Sequence, residues 1–449
     1  MMRKKGFFCG CLALAFLVFC CSQVRAEIIW QEGALTVEDE MVEEGGRIKI
    51  GKLKIIPAVK LGGVWDDNIF LGNGYTNDPN NPGTVNPQTG TLTKPVESDY
   101  IFHVIPGLLL NYGLPGGRGN VNLGYEGNWA FYNDFTSQNW NNQRGIFNAN
   151  YTAPAGLLLG ISNIFNSGND PYGDATQYAL GRTKQRWNND LNTKIGWDFF
   201  NRFRVIGYYD FYKQRYEDDI DYTQNWTTNR FGVGVQMRVL PKTWAFLRYH
   251  YQKQNFDTNL FGTTDRNNAD NQQNMVSGGL AWDGDGKLGG EVNFGWSWLR
   301  FDNEFDRTGR KYEDNNTWIA NTSINYQVLA RTRLTLNVTR AMRPTGADKR
   351  EYYDDTQVGI YIWQDLPYKF SAAVDFIYSK NDYNTQVSPV SPSTDKREDD
   401  NYNANVRLIY KIRSWLNASL RYRYMKKDSN DITQSFTDNQ VMLSIGASY

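Results

Sequence analysis

Cysteine is scarce in this chain of 449 residues, and it occurs only at Cys9, Cys11, Cys20 and Cys21. These positions belong to an apolar run, residues 6–21, which follows the basic residues 3–5 and precedes small or aliphatic residues at positions 24 and 26. This pattern predicts a signal peptide over residues 1–26, cleaved after Ala26. A lipoprotein is disfavoured because the bulky Phe19 precedes Cys20. The exported chain then lacks cysteine, which excludes a disulfide framework.

Other features are also missing. Beyond residue 26 there is no long apolar run, and the mean hydropathy is -0.60, which argues against a helical membrane protein. The 48 basic residues balance the 48 acidic ones, which argues against binding driven by nucleic-acid phosphates. The abundance of aromatic residues, with 28 Tyr, 24 Phe and 14 Trp, argues against disorder.

What the sequence contains is a long series of segments in which apolar and polar residues alternate. Residues 121–126, 334–339 and 416–424 are examples. Successive side chains of a strand point to opposite faces, so this alternation predicts strands with one apolar and one polar wall. Taken singly, each segment also fits a half-buried strand of a soluble sheet.

The connections alternate in length. Short turns such as residues 114–118, 153–156 and 240–242 alternate with longer polar stretches such as 72–97 and 166–182. Short turns at one end and long loops at the other are typical of an outer-membrane barrel. The prediction is an all-β, transmembrane, antiparallel up-and-down barrel of about 18 strands, with 16–20 possible, short periplasmic turns and longer extracellular loops.

The predicted strands lie at residues 53–66, 98–113, 119–133, 143–153, 156–166, 183–199, 203–216, 225–239, 243–257, 269–283, 287–302, 313–328, 332–344, 351–365, 368–383, 398–412, 415–428 and 436–449. The barrel therefore occupies residues 53–449. Residues 27–52 are predicted to be a short periplasmic N-terminal segment, too short for a plug domain.

The last strand carries a pattern of its own. Apolar residues alternate up to a terminal aromatic, at Val441, Leu443, Ile445, Ala447 and Tyr449. This arrangement resembles the C-terminal signal of bacterial outer-membrane barrels, which the barrel assembly machinery reads in that group. Independently of the resemblance, a closing strand must face lipid on one side and pair with the first strand.

In many strands, charged residues occupy the alternate positions that lie between the apolar residues. An arginine facing lipid at the midplane costs roughly 2–4 kcal/mol, so these residues should face inward. The predicted lumen-lining residues are Glu126, Asp190, Lys194, Asp198, Arg238, Arg248, Glu291, Asp375, Arg407, Arg421 and Arg423. They either solvate a wet lumen or form, with Tyr and Asn, a ladder for an anionic or hydroxyl-rich solute.

Aromatic residues near the strand ends are predicted to form two outward girdles at the membrane interfaces. The candidates are Trp197, Phe199, Trp244, Tyr249, Tyr251, Trp296, Trp298, Trp318, Tyr326, Trp415, Tyr422 and Tyr424.

The sequence contains no recognisable motif for catalysis. His103 and His250 are the only imidazoles, and neither has a Ser or acid partner in a known sequence pattern. The sequence therefore predicts no catalytic residue, no metal site, no cofactor and no enzymatic activity. Acidic stretches at residues 66–68 and 217–221 suggest Ca²⁺ binding or bridging to lipopolysaccharide, but they lack the spacing of a calcium loop and fit solvated loops better.

Residues 64–70, read VWDDNIF, precede a polar loop, Ser98–Asp99 and residues 106–108, read PGL. Together with residues 124–126 and 131–132 they resemble the opening of the putative β-barrel porin-2 family. The resemblance is specific over the N-terminal fifth of the chain and general beyond it. It implies an outer-membrane barrel of the kind often associated with capsule or exopolysaccharide secretion, and it transfers no catalytic residue.

The favoured function is therefore an outer-membrane channel that exports exopolysaccharide or capsular polysaccharide. The alternatives are a general porin for small solutes and a non-conducting structural or adhesive barrel. The expected location is the outer membrane of a Gram-negative bacterium. The expected partners are outer-membrane lipid, lipopolysaccharide, the barrel assembly machinery, polysaccharide and periplasmic polysaccharide-export proteins, but not nucleic acid.

Overall fold

A computed structural model describes residues 48–72, 96–170, 184–217, 225–257, 269–282, 286–305, 311–344, 352–386, 396–430 and 434–449. The predicted signal peptide, residues 27–47 and most of the predicted long loops lie outside the described residues. Within the described residues there is no α-helix, only two short 3-10 turns at Pro115–Gly117 and Thr136–Gln138. No helix there is long and apolar enough to cross a membrane.

The described strands, numbered in chain order, are β1 Ile48–Ile50, β2 Leu53–Asp66, β3 Asp99–Gly113, β4 Gly119–Tyr132, β5 Trp140–Thr152, β6 Leu157–Asp170, β7 Lys184–Phe199, β8 Phe203–Tyr216, β9 Trp226–Leu240, β10 Thr243–Phe256, β11 Asn271–Trp282, β12 Leu288–Phe301, β13 Asn315–Leu329, β14 Thr332–Pro344, β15 Tyr352–Asp365, β16 Phe370–Gln386, β17 Lys396–Arg413, β18 Leu416–Ser429 and β19 Phe436–Ser448. Strands β2 to β19 correspond one for one to the 18 predicted strands.

These 18 strands form a closed barrel. Each pairs antiparallel with the next along the chain, and β19 returns to pair with β2 over Gln440↔Asp66 to Ser448↔Ala58. Each has 12 to 18 residues, more than the roughly 9–11 that a tilted strand needs to cross the hydrocarbon core. Closure leaves no open sheet edge to expose unpaired backbone groups in lipid. The predicted fold class is therefore confirmed.

The structure adds one strand, because Ile48–Ile50, within the predicted periplasmic segment, forms β1. It pairs with residues 53–55 of β2 through a tight turn at Gly51. β19 pairs with the same edge of β2, but only with residues 58–66. β1 therefore occupies the part of that edge that β19 does not reach.

The short turns are built from backbone conformations that suit tight hairpins. Between β7 and β8, Phe200 and Asn201 both have positive φ values of 53° and 55°. In the turn before β6, Gly156 has φ 87°, and a Cβ atom there would lie 2.5 Å from the carbonyl oxygen of Asp198. Only glycine fits this position, which fixes the turn against the end of β7.

Apolar packing inside the barrel is concentrated beside the seam between β2 and β19. Val64, Ile101, Ile105 and Met442 are buried there with Trp140. A smaller buried cluster comprises Phe256, Ala269 and Tyr312. Many of the other buried side chains of the described strands are polar, so the apolar interior packs against two separate sectors of the wall and does not form a central core.

Candidate functional site: the inner wall of the barrel

The two faces of the wall differ clearly in the closing strand and its partner. On β19, Val441, Leu443 and Ile445 are exposed, whereas Met442 and Ser444 between them are buried. On β2 the same alternation makes Leu61 and Trp65 exposed. Most exposed large apolar residues of the other strands follow this parity. The residues at the exposed alternate positions of each strand form the outer, apolar face, and we call these positions the outer parity. The residues at the intervening positions, the inner parity, form the inner wall.

The predicted C-terminal row lies largely on the outer face. Val441, Leu443, Ile445 and Tyr449 are exposed, and Ala447 is half-buried. The Tyr449 N–H donates to the carbonyl oxygen of Pro57 at 3.0 Å, which anchors the chain end to β2. Recognition of this row by assembly machinery stays a prediction.

The residues predicted to line the lumen all occupy the inner parity of their strands. Glu126 and Arg423 are buried, and the others are half-buried: Asp190, Lys194, Asp198, Arg238, Arg248, Glu291, Asp375, Arg407 and Arg421. The structure gathers several of them into three groups, described below. Their contact with a permeating solute stays a prediction.

The first group lies near the short-turn end of β7 to β10. Arg204 forms an ion pair with Asp198 at 3.0 Å. Its guanidinium also lies over the ring of Trp244, 4.2 Å from the centroid, and that of Arg238 lies 4.5 Å from the same centroid. Two cations thus share one aromatic ring, an arrangement stabilised by the negative face of the indole.

This group corrects the prediction that Trp244 belongs to an outward girdle. Trp244 is only 2% exposed and has the inner parity of Arg248 in the same strand. Its position near a strand end suggests an interface residue, but parity decides which wall it joins. Most of the other girdle candidates are exposed, for example Trp197, Trp296 and Trp415.

The second group is an ion pair that spans three strands. Arg248 on β10 donates from Nη1 and Nη2 to the two carboxylate oxygens of Glu291 on β12, at 2.9 and 2.8 Å. The guanidinium carbon lies 3.9 Å from the ring centroid of Phe246. This bidentate contact holds both side chains against the wall.

The third group lies on β16 to β18. Asn405 donates to Asp375 at 2.7 Å, while Arg421 donates from Nε and Nη2 to the Asn405 side-chain oxygen at 3.0 and 2.7 Å. Arg407 is the register partner of Arg421. One carboxylate is thus set among several guanidiniums, so this sector carries net positive charge.

From the sequence, Asn is expected beside the charged residues, but none of the neutral polar positions around this group is named. On the inner parity of the same strands lie Ser379, Asn381, Asn401 and Asn403, all buried. Asn401 donates to the Ser379 hydroxyl at 3.3 Å. We call the set Ser379, Asn381, Asn401, Asn403, Asn405, Arg407 and Arg421 the polar stripe. The alternation over residues 401–407, read NYNANVR, is the signal that could have revealed it.

The histidines have structural surroundings. His103 is buried, and its Nδ1 lies 3.0 Å from the side-chain oxygen of Asn128. His250 lies beside Tyr208, with ring centroids 5.5 Å apart. Among the described residues, no serine or carboxylate is hydrogen-bonded to either imidazole, so the two histidines build no catalytic arrangement of that kind there.

The family model for "Putative beta-barrel porin 2" matches residues 45–449, which include every described strand of the barrel. The chain belongs to the putative β-barrel porin-2 family. The resemblance seen over the N-terminal fifth is therefore confirmed and extends to the terminal residue. Membership identifies the chain as a porin-like barrel of the Gram-negative outer membrane.

Among solved structures, OccK2 (OpdF) of Pseudomonas aeruginosa in complex with glucuronate is similar, with 11% identity and a TM-score of 0.43, covering 89% of this chain and 99% of that chain. The siderophore receptor PirA of Acinetobacter baumannii has 7% identity and a TM-score of 0.42, covering 90% and 81%. No curated protein matches the sequence. The fold assignment itself stands on the strand pairing and the family match.

Proposed function

We propose that this barrel is a channel through which exopolysaccharide or capsular polysaccharide leaves the periplasm. The observation that carries the proposal is the polar stripe, in which amides and a hydroxyl lie beside guanidiniums on three adjacent strands. The half-buried guanidiniums of Arg407 and Arg421 can pair with carboxylates or phosphates on a sugar chain, and the buried amide of Asn405 holds the Arg421 side chain in place. The family's association with capsule and exopolysaccharide secretion supports the same choice.

The first experiment is electrical. Purified protein is placed in a planar bilayer under a salt gradient, and the reversal potential is compared with that of the double variant Arg407→Glu/Arg421→Glu. We expect conductance, and a shift towards cation selectivity in the variant, because two positive charges of the wall become negative.

Lys426→Glu is the matched control, since Lys426 lies on β18 with the outer parity and is ion-paired to Asp428 at 2.7 Å. An unchanged reversal potential in the double variant would contradict the inner placement of the stripe.

The second experiment separates export from passive uptake. The gene is deleted, and secreted polysaccharide is weighed alongside measurements of small-solute entry. We expect secretion to fall and to recover with the wild-type gene, but only in part with Asn403→Leu/Asn405→Leu. Unchanged secretion with slower solute entry would identify a general porin, and absence of conductance at every voltage would identify a structural or adhesive barrel.

A further inference from the structure

Three carboxylates meet where the first and last barrel strands join. Asp66 ends β2, Asp67 follows it, and Asp438 lies on β19. One oxygen of each carboxylate lies within 4.8 Å of the others. Asp66 and Asp438 are 6% and 0% exposed, and Asp67 is half-buried. The cluster is therefore enclosed, which differs from the solvated loop that the sequence favours for residues 66–68.

The backbone around the cluster is held by contacts that cross the seam. Asn68 donates from its side-chain nitrogen to the carbonyl oxygen of Thr437 at 2.7 Å. Asp67 accepts hydrogen bonds from the N–H and the side-chain nitrogen of Asn439, at 2.7 and 2.8 Å. The N–H of Asn68 donates to Asp66 Oδ1 at 2.9 Å. These contacts fix the carboxylates before any ligand binds.

The charges in the cluster do not balance. The three carboxylates carry three negative charges when ionised. Arg423, the register partner of Gln440 on the neighbouring strand, supplies one positive charge on the same face. Asp99, the register partner of Asp66, adds a further carboxylate. Asp99 is satisfied separately, because the N–H groups of Asp134 and Phe135 donate to it at 3.1 Å. Buried negative charge of this kind is offset either by a bound proton or by a cation, and a cation has the advantage that all three carboxylates can hold it.

An independent observation points to a ligand. Gln440 is 8% exposed, and its Nε2 donates to Asp66 Oδ2 at 2.9 Å and to Asp438 Oδ2 at 3.0 Å. Its Oε1 accepts no hydrogen bond, and neither does Asp438 Oδ1, although both atoms are buried. A half-turn of the amide presents Oε1 to the same two carboxylates, and a cation between them makes that orientation favourable.

We propose that Asp66, Asp67, Asp438 and Gln440 bind a calcium ion that fastens the first barrel strand to the last. The donors are all oxygens, which is the set that Ca²⁺ takes, at distances of about 2.3–2.6 Å. Two ligands of such an ion lie at most about 4.6–5.2 Å apart, so carboxylate oxygens that all lie within 4.8 Å of one another can reach the same ion. Water molecules complete the coordination on the side of Asp67. The site is independent of what passes through the barrel.

The test is calorimetric titration of the full chain, purified in detergent and freed of lipopolysaccharide, with CaCl₂. We expect one Ca²⁺ per chain, with Kd no weaker than about 10⁻³ M, the range of extracellular calcium sites. We also expect added Ca²⁺ to raise the thermal unfolding midpoint and a chelator to reverse the rise. Asp438→Asn should weaken binding at least about tenfold, because the number of charged ligands sets the affinity.

The control is Asp399→Asn. Asp399 is equally buried, but its charge is already matched by Arg397 at 2.5 Å and Lys427 at 3.4 Å. This variant should lose stability yet bind Ca²⁺ like the wild type. If Asp438→Asn does not fold, the half-buried Asp67→Asn replaces it. No Ca²⁺ binding by the wild type, or unchanged affinity in both Asp67→Asn and Asp438→Asn, would overturn the proposal.

Discussion

At the scale of single residues, the contact between Arg248 and Glu291 shows how ion pairs act in the inner wall. Both side chains are mostly buried, and two hydrogen bonds join them. We expect Glu291→Gln to lower the free energy of unfolding by about 2–3 kcal/mol, because it leaves a buried guanidinium without its counter-charge. The measurement is a urea titration followed by tryptophan fluorescence in lipid vesicles.

The matched variant for this pair is Arg248→Met/Glu291→Met, which removes both charges and keeps comparable volume. We expect it to recover most of the loss, since the cost arises from an unpaired charge rather than from the absence of the pair. If the double variant were less stable than Glu291→Gln, the pair itself would be the stabilising unit.

Parity makes many residues of the inner wall predictable without knowledge of the sheet. Arg248 and Glu291 are both predicted to face inward because each alternates with apolar neighbours. Their contact is not predictable, because it depends on the register of β10, β11 and β12, where Arg248 pairs with Ser277 and Glu291 with Ala281. The prediction for Trp244 is wrong because it is based only on the position of this residue near a strand end. Whether a side chain faces inward or outward is decided by the alternation along the strand.

At the scale of one element, β19 carries an outer row whose substitution cost should depend on depth. Leu443, 65% exposed near the middle of the strand, pairs with Gly63 and Leu420. Leu443→Arg should lower the free energy of unfolding in lipid by about 2–4 kcal/mol, the cost of a charge near the bilayer midplane. Thr437→Arg, on the same row but near the long-loop end, should cost about 0–1 kcal/mol. Equal costs in lipid would contradict the membrane depth assigned to this strand.

The strands are predictable element by element because the period of two is local. β2, β8 and β14 begin and end at the predicted residues, and the other strands differ by only a few. β1 escapes prediction because three residues are too few to show a period. Its presence is explained only by the free part of the β2 edge, which is visible once β19 is in register.

At the scale of the whole molecule, the barrel closes through pairs between residues far apart in sequence. The hydrogen bonds from Asp67 N to Asn439 O and from Tyr449 N to Pro57 O mark the hydrogen-bonded pairs of this seam. Hydrogen-bonded and non-hydrogen-bonded pairs alternate along an antiparallel ladder, and this alternation makes Gly62 and Ser444 a non-hydrogen-bonded pair. The Cα atoms of opposite residues lie closest in pairs of that kind.

We expect Gly62→Cys/Ser444→Cys to form a disulfide in the folded protein, because cross-strand pairs of this type match disulfide geometry. Oxidised and reduced samples should migrate differently on a denaturing gel after boiling. Gly62→Cys/Ser371→Cys is the control, since β16 lies several strands from β2, and it should not cross-link. A cross-link in the control as well as in the test pair would show that the ends of the sheet are not joined in a fixed register.

Closure can be anticipated from sequence, but the carboxylates that meet there cannot. Asp66 and Asp67 belong to the segment that resembles the family opening, and they read as a solvated turn on their own. Asp438 lies some 370 residues later, and only the pairing of β2 with β19 brings it beside them. Long-range register of this kind is absent from local periodicity.

The pairing of β2 with β19 also bears on the order of events during biogenesis. Because the first barrel strand pairs with the last, the barrel can close only when the whole chain is available. A chain that lacks β19 would form an open sheet in which β2 and β18 are unpaired edge strands. The backbone groups at those two edges would have no partner in lipid, so the complete wall depends on a strand that comes last in the chain.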